Sequence, residues 1–186
     1  MEFACLSFLH SDWHDGLHSD RSEERLKQPE WLEQFLERWG LRVEQPFDEE
    51  IYRELVALRA LLQRLVRRLD AGEALPDEDL EALNSYLAAV PLRRSLARGG
   101  GEYHLRLQPE ERNWRWVRAE LAASFADLLA HHDPARVKIC DNPDCQWVYY
   151  DESRNQTRRW CDDECANVMR VRRFRQRKRE QQRAEA

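Results

Sequence analysis

Four of the five cysteines in this 186-residue chain fall between positions 140 and 165, and this cluster constrains the fold more than any other feature. Cys140 and Cys145 are separated by four residues, Cys161 and Cys165 by three, and the two pairs by fifteen. Each pair can occupy two corners of a tetrahedral metal site. Disulfide or redox chemistry is the rival interpretation, which a chain without a secretory signal disfavours because the cytosol keeps thiols reduced. The spacing therefore predicts one Zn²⁺ held by four cysteines.

The predicted zinc is structural, because four protein ligands leave no open position for a substrate or an activated water. The Asn142-Pro143 turn between the first two cysteines suits the presentation of two thiolates to one ion. Four thiolates around Zn²⁺ carry a formal charge of −2, which a helix N-terminus together with Arg158 and Arg159 would offset. No nucleophile, base and orienting residue can be recognised together in the sequence, so we predict that the protein is not an enzyme.

Charge is divided unevenly along the chain. Residues 134–186 hold 13 Lys and Arg against 9 Asp and Glu, a net charge of +4, whereas residues 1–133 hold 17 against 26, a net charge of −9. This asymmetry indicates a polyanionic partner for one end only. No apolar run reaches the ~18–20 residues that span a bilayer, and "MEFACLSFLH" lacks the pattern of a signal peptide. We therefore expect a cytoplasmic protein with no membrane partner.

Hydrophobic periodicity predicts a mainly α (α+β) fold. Four segments carry apolar residues at helical spacing, namely 29–40, 48–72, 76–90 and 114–132. Two apolar runs flank the glycines at 99–101 and predict a β-hairpin. "FACLSFLH" fits a buried strand or the start of a helix, and residues 11–25 fit a polar loop. Asp133-Pro134 breaks the last helix and marks the predicted boundary between a body, residues 1–133, and a finger, residues 134–186.

The finger also resembles a known family. The pattern "C-x4-C-x-W-V-Y-Y-D-x-S-x4-R-R-W-C-x3-C-A-N" is similar to the CGNR zinc finger, found at the C-terminus of bacterial proteins that begin with an ABATE domain and are described as stress-induced transcription regulators. The residues in register are the four cysteines, Asp151, Ser153, Arg159, Trp160 and Asn167. Ala166 and Val168 stand where the family has Gly and Arg.

The resemblance of the body is looser and depends on "FACLSFLH" and "RLKQPEWLEQFLERWGL". Together the two resemblances cover nearly the whole chain. They imply an ABATE-like α-rich domain over residues 1–133, with a β-hairpin, and a treble-clef or zinc-ribbon-like four-cysteine finger over residues 134–186. A basic C-terminal helix completes this finger.

The basic terminal helix is the candidate nucleic-acid interface. If it runs from about Cys161 past Lys178, then Val168, Val171 and Phe174 form an apolar stripe that would pack on the finger's hairpin, with the arginines mostly opposite. Arginine suits phosphates and base edges because its planar fork donates bidentately. The predicted nucleic-acid contacts are Arg158, Arg159, Asn167, Arg170, Arg172, Arg173, Arg175, Arg177 and Lys178.

The favoured hypothesis is a transcription regulator whose finger binds double-stranded DNA. Its body would sense a small-molecule effector or form a homodimer. Two alternatives stay open at this point, an RNA-binding zinc-ribbon-like protein and a protein–protein adaptor in which zinc only folds the end of the chain. A solvated basic tail that pairs with the acidic body is the plainest interpretation of the arginines.

Overall fold

A computed structural model describes residues 1–18 and 20–184, and within these ranges helices dominate. The helices are α1 (Ala4–Leu9), α2 (Pro29–Arg38), α3 (Glu49–Asp70), α4 (Asp77–Leu87), α5 (Trp114–His131) and α6 (Asp163–Ala184). The strands are β1 (Asp12–His14), β2 (Ser22–Glu24), β3 (Leu92–Gly99), β4 (Glu102–Pro109), β5 (Val137–Ile139) and β6 (Val148–Tyr150). They pair as three antiparallel hairpins, β1 with β2, β3 with β4 and β5 with β6. The predicted mainly α (α+β) fold is confirmed.

Helix α3 organises the core. The Asp48 side chain accepts a hydrogen bond from the Ile51 amide at 2.9 Å and so caps the helix. Apolar residues then recur at helical spacing, and Leu58, Leu62 and Leu65 are fully buried in the core that α3 shares with α1 and α5. The predicted helices over 29–40, 48–72, 76–90 and 114–132 are all present. Among the described residues, none of the helices is long and apolar enough to cross a membrane.

The N-terminal segments differ from expectation in part. "FACLSFLH" forms helix α1, one of its two expected states, but the predicted polar loop is wrong because residues 12–14 and 22–24 pair as strands. Arg59 of α3, only 6% exposed, donates to Glu24 Oε1 and Ser11 Oγ at 2.8 Å each. These bonds hold the start and end of the hairpin. The strands depend on a residue far along the chain, which their polar sequence cannot reveal.

The hairpin β3–β4, predicted from its glycines, is also present. Gly100 and Gly101 have φ of +61° and +90°, the left-handed values that a tight two-residue hairpin turn requires. Its apolar side chains do not enter the core, since Leu96 and Leu105 are each 69% exposed.

The hairpin β5–β6 joins the finger to the body. Val137 and Val148 belong to the same core as α3, and they are 0% and 5% exposed. His10, at the end of α1, stacks on Trp147 with ring centroids 3.4 Å apart, and its Nε2 donates to the Val148 carbonyl at 2.8 Å.

Asp133 follows α5 and caps the short turn 134–136, but the domain boundary proposed there stays a prediction.

The buried position of His10 predicts a pH effect on stability. Burial lowers the pKa of His10 from 6.5 to about 4. As pH falls from about 6.5 to about 4, the unfolded chain binds a proton that the folded chain refuses, so stability is lost in this window. Imidazole ¹⁵N NMR should show His10 neutral and protonated at Nε2 at pH 5.5. A titration midpoint near 6.5 would contradict the packing of His10 against β6.

Candidate metal centre and basic helix

Four cysteine sulfurs converge from three segments of the finger. Cys140 and Cys145 lie in the loop after β5, Cys161 precedes α6, and Cys165 is in the first turn of α6. All four sulfurs lie within 4.8 Å of one another, and Cys161 Sγ is 3.6 Å from the sulfurs of both Cys145 and Cys165. Zn–S bonds of about 2.3 Å place the sulfurs of a tetrahedron roughly 3.8 Å apart. The spacing of the sulfurs therefore fits one metal ion.

The acid–base chemistry of the cluster favours a divalent cation. Hydrogen bonds from the Cys145 and Cys161 thiols lower the pKa of Cys140, and the bond to Cys140 raises the pKa of Cys145. The thiols thus cannot all ionise next to one another without a neutralising positive charge. A bound Zn²⁺ supplies that charge and closes the finger. The four cysteines fit one structural zinc ion, as the sequence predicts.

Asn142 connects the cysteine cluster to its surroundings. This side chain is fully buried, and its Nδ2 donates to the Gly16 carbonyl at 2.7 Å and to Cys165 Sγ at 3.4 Å. Its Oδ1 accepts a bond from Arg172 of α6 at 3.2 Å. One amide thus ties a body loop, a metal ligand and the terminal helix together. Groups of this kind orient metal ligands, and their loss typically weakens metal binding by about 10–100-fold.

Gly16 is a site residue that the sequence does not reveal. It lies in the loop between β1 and β2 and covers the cluster so closely that a Cβ there would meet Cys165 Sγ and Asn142 Nδ2 at 3.0 Å. Cys145 Cβ would be 3.1 Å away. These distances are shorter than ordinary van der Waals contact, so a side chain would displace the loop. A glycine 126 residues from Asn142 carries no local signal of this contact.

Three of the nine predicted nucleic-acid contacts form hydrogen bonds or ion pairs that join parts of the finger around the metal centre. Arg158 donates to backbone carbonyls just before and within the cysteine cluster. Arg159 pairs with Asp141, and Arg172 pairs with Asp144 at 2.6 Å. Arg159 thereby joins the loop of the first two cysteines to the segment that leads into α6, and Arg172 joins this loop to α6 itself.

The other six predicted contacts are exposed along α6, namely Asn167, Arg170, Arg173, Arg175, Arg177 and Lys178. The helix begins at Asp163, close to the predicted start at about Cys161, and the Asp162 side chain caps it by accepting from the Cys165 amide at 2.8 Å. The predicted packing of its apolar stripe is wrong, since Val171 is 47% and Phe174 62% exposed. The apolar side chains of the hairpin β5–β6 pack on α3 and the body's core instead.

Replacing one ligand tests the metal centre. Cys161→Ser should abolish stoichiometric zinc binding and unfold the segment from 140 into α6, while the body and the β5–β6 hairpin stay folded on their shared core. Zinc content by mass spectrometry and ¹⁵N NMR dispersion measure the two effects. Cys5→Ser is the matched control, because Cys5 is buried in the body and lies outside the cluster. Full zinc content in Cys161→Ser would contradict a four-cysteine site.

The loop over the cluster makes a second prediction. Gly16→Ala should push the loop away, break its bond with Asn142 and weaken zinc binding by about 10–100-fold, the usual effect of disturbing groups that support metal ligands. Competition with a chromogenic chelator measures the affinity. Gly99→Ala is the control, because its added Cβ would meet only His104, at an ordinary 3.7 Å. Equal zinc affinities for the two variants would show that the loop does not support the site.

Comparison with known protein families matches both parts of the chain. Residues 136–178 match the CGNR zinc finger. Residues 2–132 match ABATE, a family described as "Putative stress-induced transcription regulator". No curated protein matches the chain. The matched segments follow the order that the sequence resemblance predicts, and neither description names an enzyme. The chain therefore belongs to the ABATE family and carries a CGNR zinc finger at its C-terminal end.

Proposed function

We propose that this protein is a transcription regulator that binds duplex DNA through the exposed face of α6, with zinc holding the helix in place. The observation that supports this is the composition of that face. At 100° per residue, Asn167, Val171, Phe174 and Lys178 fall within a sector of about 60°. This sector lies opposite Cys165, which joins the helix to the metal centre. The outward face of the helix therefore combines an amide, two apolar side chains and one positive charge.

The flanks of this face carry the charges. Arg170 and Arg177 lie on one side of it and Arg175 on the other, and all three are exposed. A helix in the major groove meets base edges along its centre and phosphates along its sides. The distribution of side chains on α6 matches this division. Arg158, Arg159 and Arg172 instead have a structural role in our proposal, because their partners lie within the finger.

The exposed apolar residues give the helix a means of discriminating bases. Phe174 and Val171 lie in the centre of the outward face, where thymine methyl groups would be reached in the major groove. Asn167 accepts a bond from Arg170 at 2.7 Å and has the amide that pairs with adenine edges. Salt-dependent affinity would thus come from the flanks and base preference from the centre.

The packing of the aromatic residues argues against single-stranded RNA. Trp147 is stacked on His10, and Tyr149 is 8% exposed with its hydroxyl donating to the Arg158 carbonyl at 2.8 Å. Tyr149 is thus buried and one face of Trp147 is already covered, which leaves little of either ring as a platform for unpaired bases. An adaptor function would leave the basic flanks of α6 without a polyanionic partner. The small-molecule effector of the body stays a prediction.

Two sets of variants test DNA binding by α6. In Arg170→Ala/Arg175→Ala/Arg177→Ala, which removes the three flanking charges, the log–log salt slope for duplex binding should become less negative by about 2.7, because each phosphate contact contributes about 0.9. Phe174→Ala should keep the salt slope and lose about fourfold in preference for its best duplex, the equivalent of one buried methyl group. Fluorescence anisotropy of zinc-loaded protein, after selection of duplexes from a random pool, measures both.

The control removes the same charge from the body. Arg42, Arg53 and Arg67 are exposed on the body, and their replacement by alanine should leave the salt slope unchanged. Equal slopes for the α6 variant and the wild type would rule out α6 as the phosphate-binding element. Tighter binding of single-stranded RNA than of duplex DNA would favour the RNA-binding alternative.

A further inference from the structure

The hairpin β3–β4 presents a second unpartnered surface, unrelated to the metal centre. Its two strands pair in register over eight residues each, with Leu96 opposite Leu105 and Arg94 opposite Leu107. Alternation along the strands places the large apolar residues on one face. We call the hairpin, residues 92–109, the arm, and this side of it the arm's apolar face. Its members are Leu92, Leu96, Tyr103, Leu105, Leu107 and Pro109, with Arg94 and Arg98 among them.

This face is open to solvent. The five large hydrophobic side chains on it are between 49% and 69% exposed. The opposite face of the arm carries small or polar residues such as Ser95, Ala97 and Gln108. A two-stranded hairpin is only marginally stable in water and ordinarily needs a covering layer on its apolar face. Contiguous apolar surface of this kind on a folded protein marks an interaction site.

Charge identifies the kind of partner. The arm, residues 92–109, holds 4 arginines against 1 glutamate, a net charge of +3. The rest of the body holds 13 basic against 25 acidic residues, a net charge of −12. The finger carries a net charge of +4, so in this chain the body is the surface of opposite sign to the arm. Arg94 and Arg98 lie among the leucines and would meet carboxylates there.

We propose that the arm docks its apolar face on the acidic body of a second copy of this chain, and that two copies exchange arms in a symmetric dimer. A reciprocal exchange is isologous and closed, as most homodimers are. It places each basic arm against an acidic body. It also covers the leucines that the single chain leaves in water.

The area of the arm decides between two modes of dimerisation. Eight residues at about 3.3 Å each, on two strands about 5 Å apart, make a face of roughly 26 by 10 Å. Two exchanged arms, each buried against a body, remove roughly 1,000 Å² in total, which is the lower limit expected of a biological interface. Two arms stacked face to face would remove about half of that area. They would also bring the arginines of both copies together.

Duplex DNA fits this face less well than a protein does. The leucines of the arm's apolar face would lie against phosphates and sugars of the duplex. Only base methyl groups could then offer them an apolar contact. The proposal does not depend on DNA binding by α6, because the dimer is expected without nucleic acid.

Sedimentation velocity of the full zinc-loaded chain, between 1 and 100 µM and without nucleic acid, tests the dimer. The wild type should sediment at twice its 22.3 kDa mass. Leu96→Thr/Leu105→Thr removes a cross-strand pair from the apolar face and keeps strand-forming residues. It should raise the dimer dissociation constant by on the order of 100-fold. Raising NaCl to 1 M should weaken the wild-type dimer, because the arm and body attract by charge.

The matched control is Ala97→Thr/His104→Thr, a cross-strand pair on the opposite face of the same arm. It should dimerise like the wild type, and unchanged zinc content and circular dichroism show that each variant is folded. A monomeric wild type at 100 µM would overturn the proposal. A dimer that persists in Leu96→Thr/Leu105→Thr would also overturn it, because another surface would then hold the copies together. A monomer whose duplex affinity falls with that variant would assign the face to nucleic acid instead.

Discussion

The convergence of four cysteine sulfurs on one metal position is the constraint on which the finger depends. The finger has a small cluster of its own, in which Cys140, Cys145 and Cys165 pack with Tyr149. Such a cluster is too small to fold a segment of this length. A bound Zn²⁺ would supply the missing free energy, because the ligands come together only in the folded state. The position of α6 follows from this, since Cys165 is in its first turn.

The metal centre is built partly by the body. The β1–β2 loop lies over the cluster and accepts a bond from Asn142. The same Asn142 bonds Arg172 on α6. Val137 and Val148 add a hydrophobic attachment through the shared core. Body, metal centre and terminal helix are therefore joined by direct contacts. A rearrangement of the β1–β2 loop would thus change the contacts at the start of α6.

The separation of charge distinguishes the exposed surfaces of the protein from one another. An acidic body repels a polyanion, which confines such a partner to the basic helix at the other end. The arm is the exception within the body, because it combines positive charge with an apolar face. Its leucines require burial that phosphates cannot provide, whereas α6 has few apolar residues and many donors. These differences support our two proposals, in which the two exposed basic elements have different partners.

The sequence by itself determined the features that depend on near neighbours. Cysteine spacing specified the metal, helical periodicity specified α2 to α5, and Gly100-Gly101 specified the turn of the arm, because each involves residues close along the chain. The strands β1 and β2, the position of Gly16 and the exposure of Phe174 could not be predicted in this way. Each depends on which segments far apart in sequence come into contact in the folded protein. Only the tertiary structure decided which arginines are held inside the finger and which face outward, because that choice depends on where folding places their carboxylate and carbonyl partners.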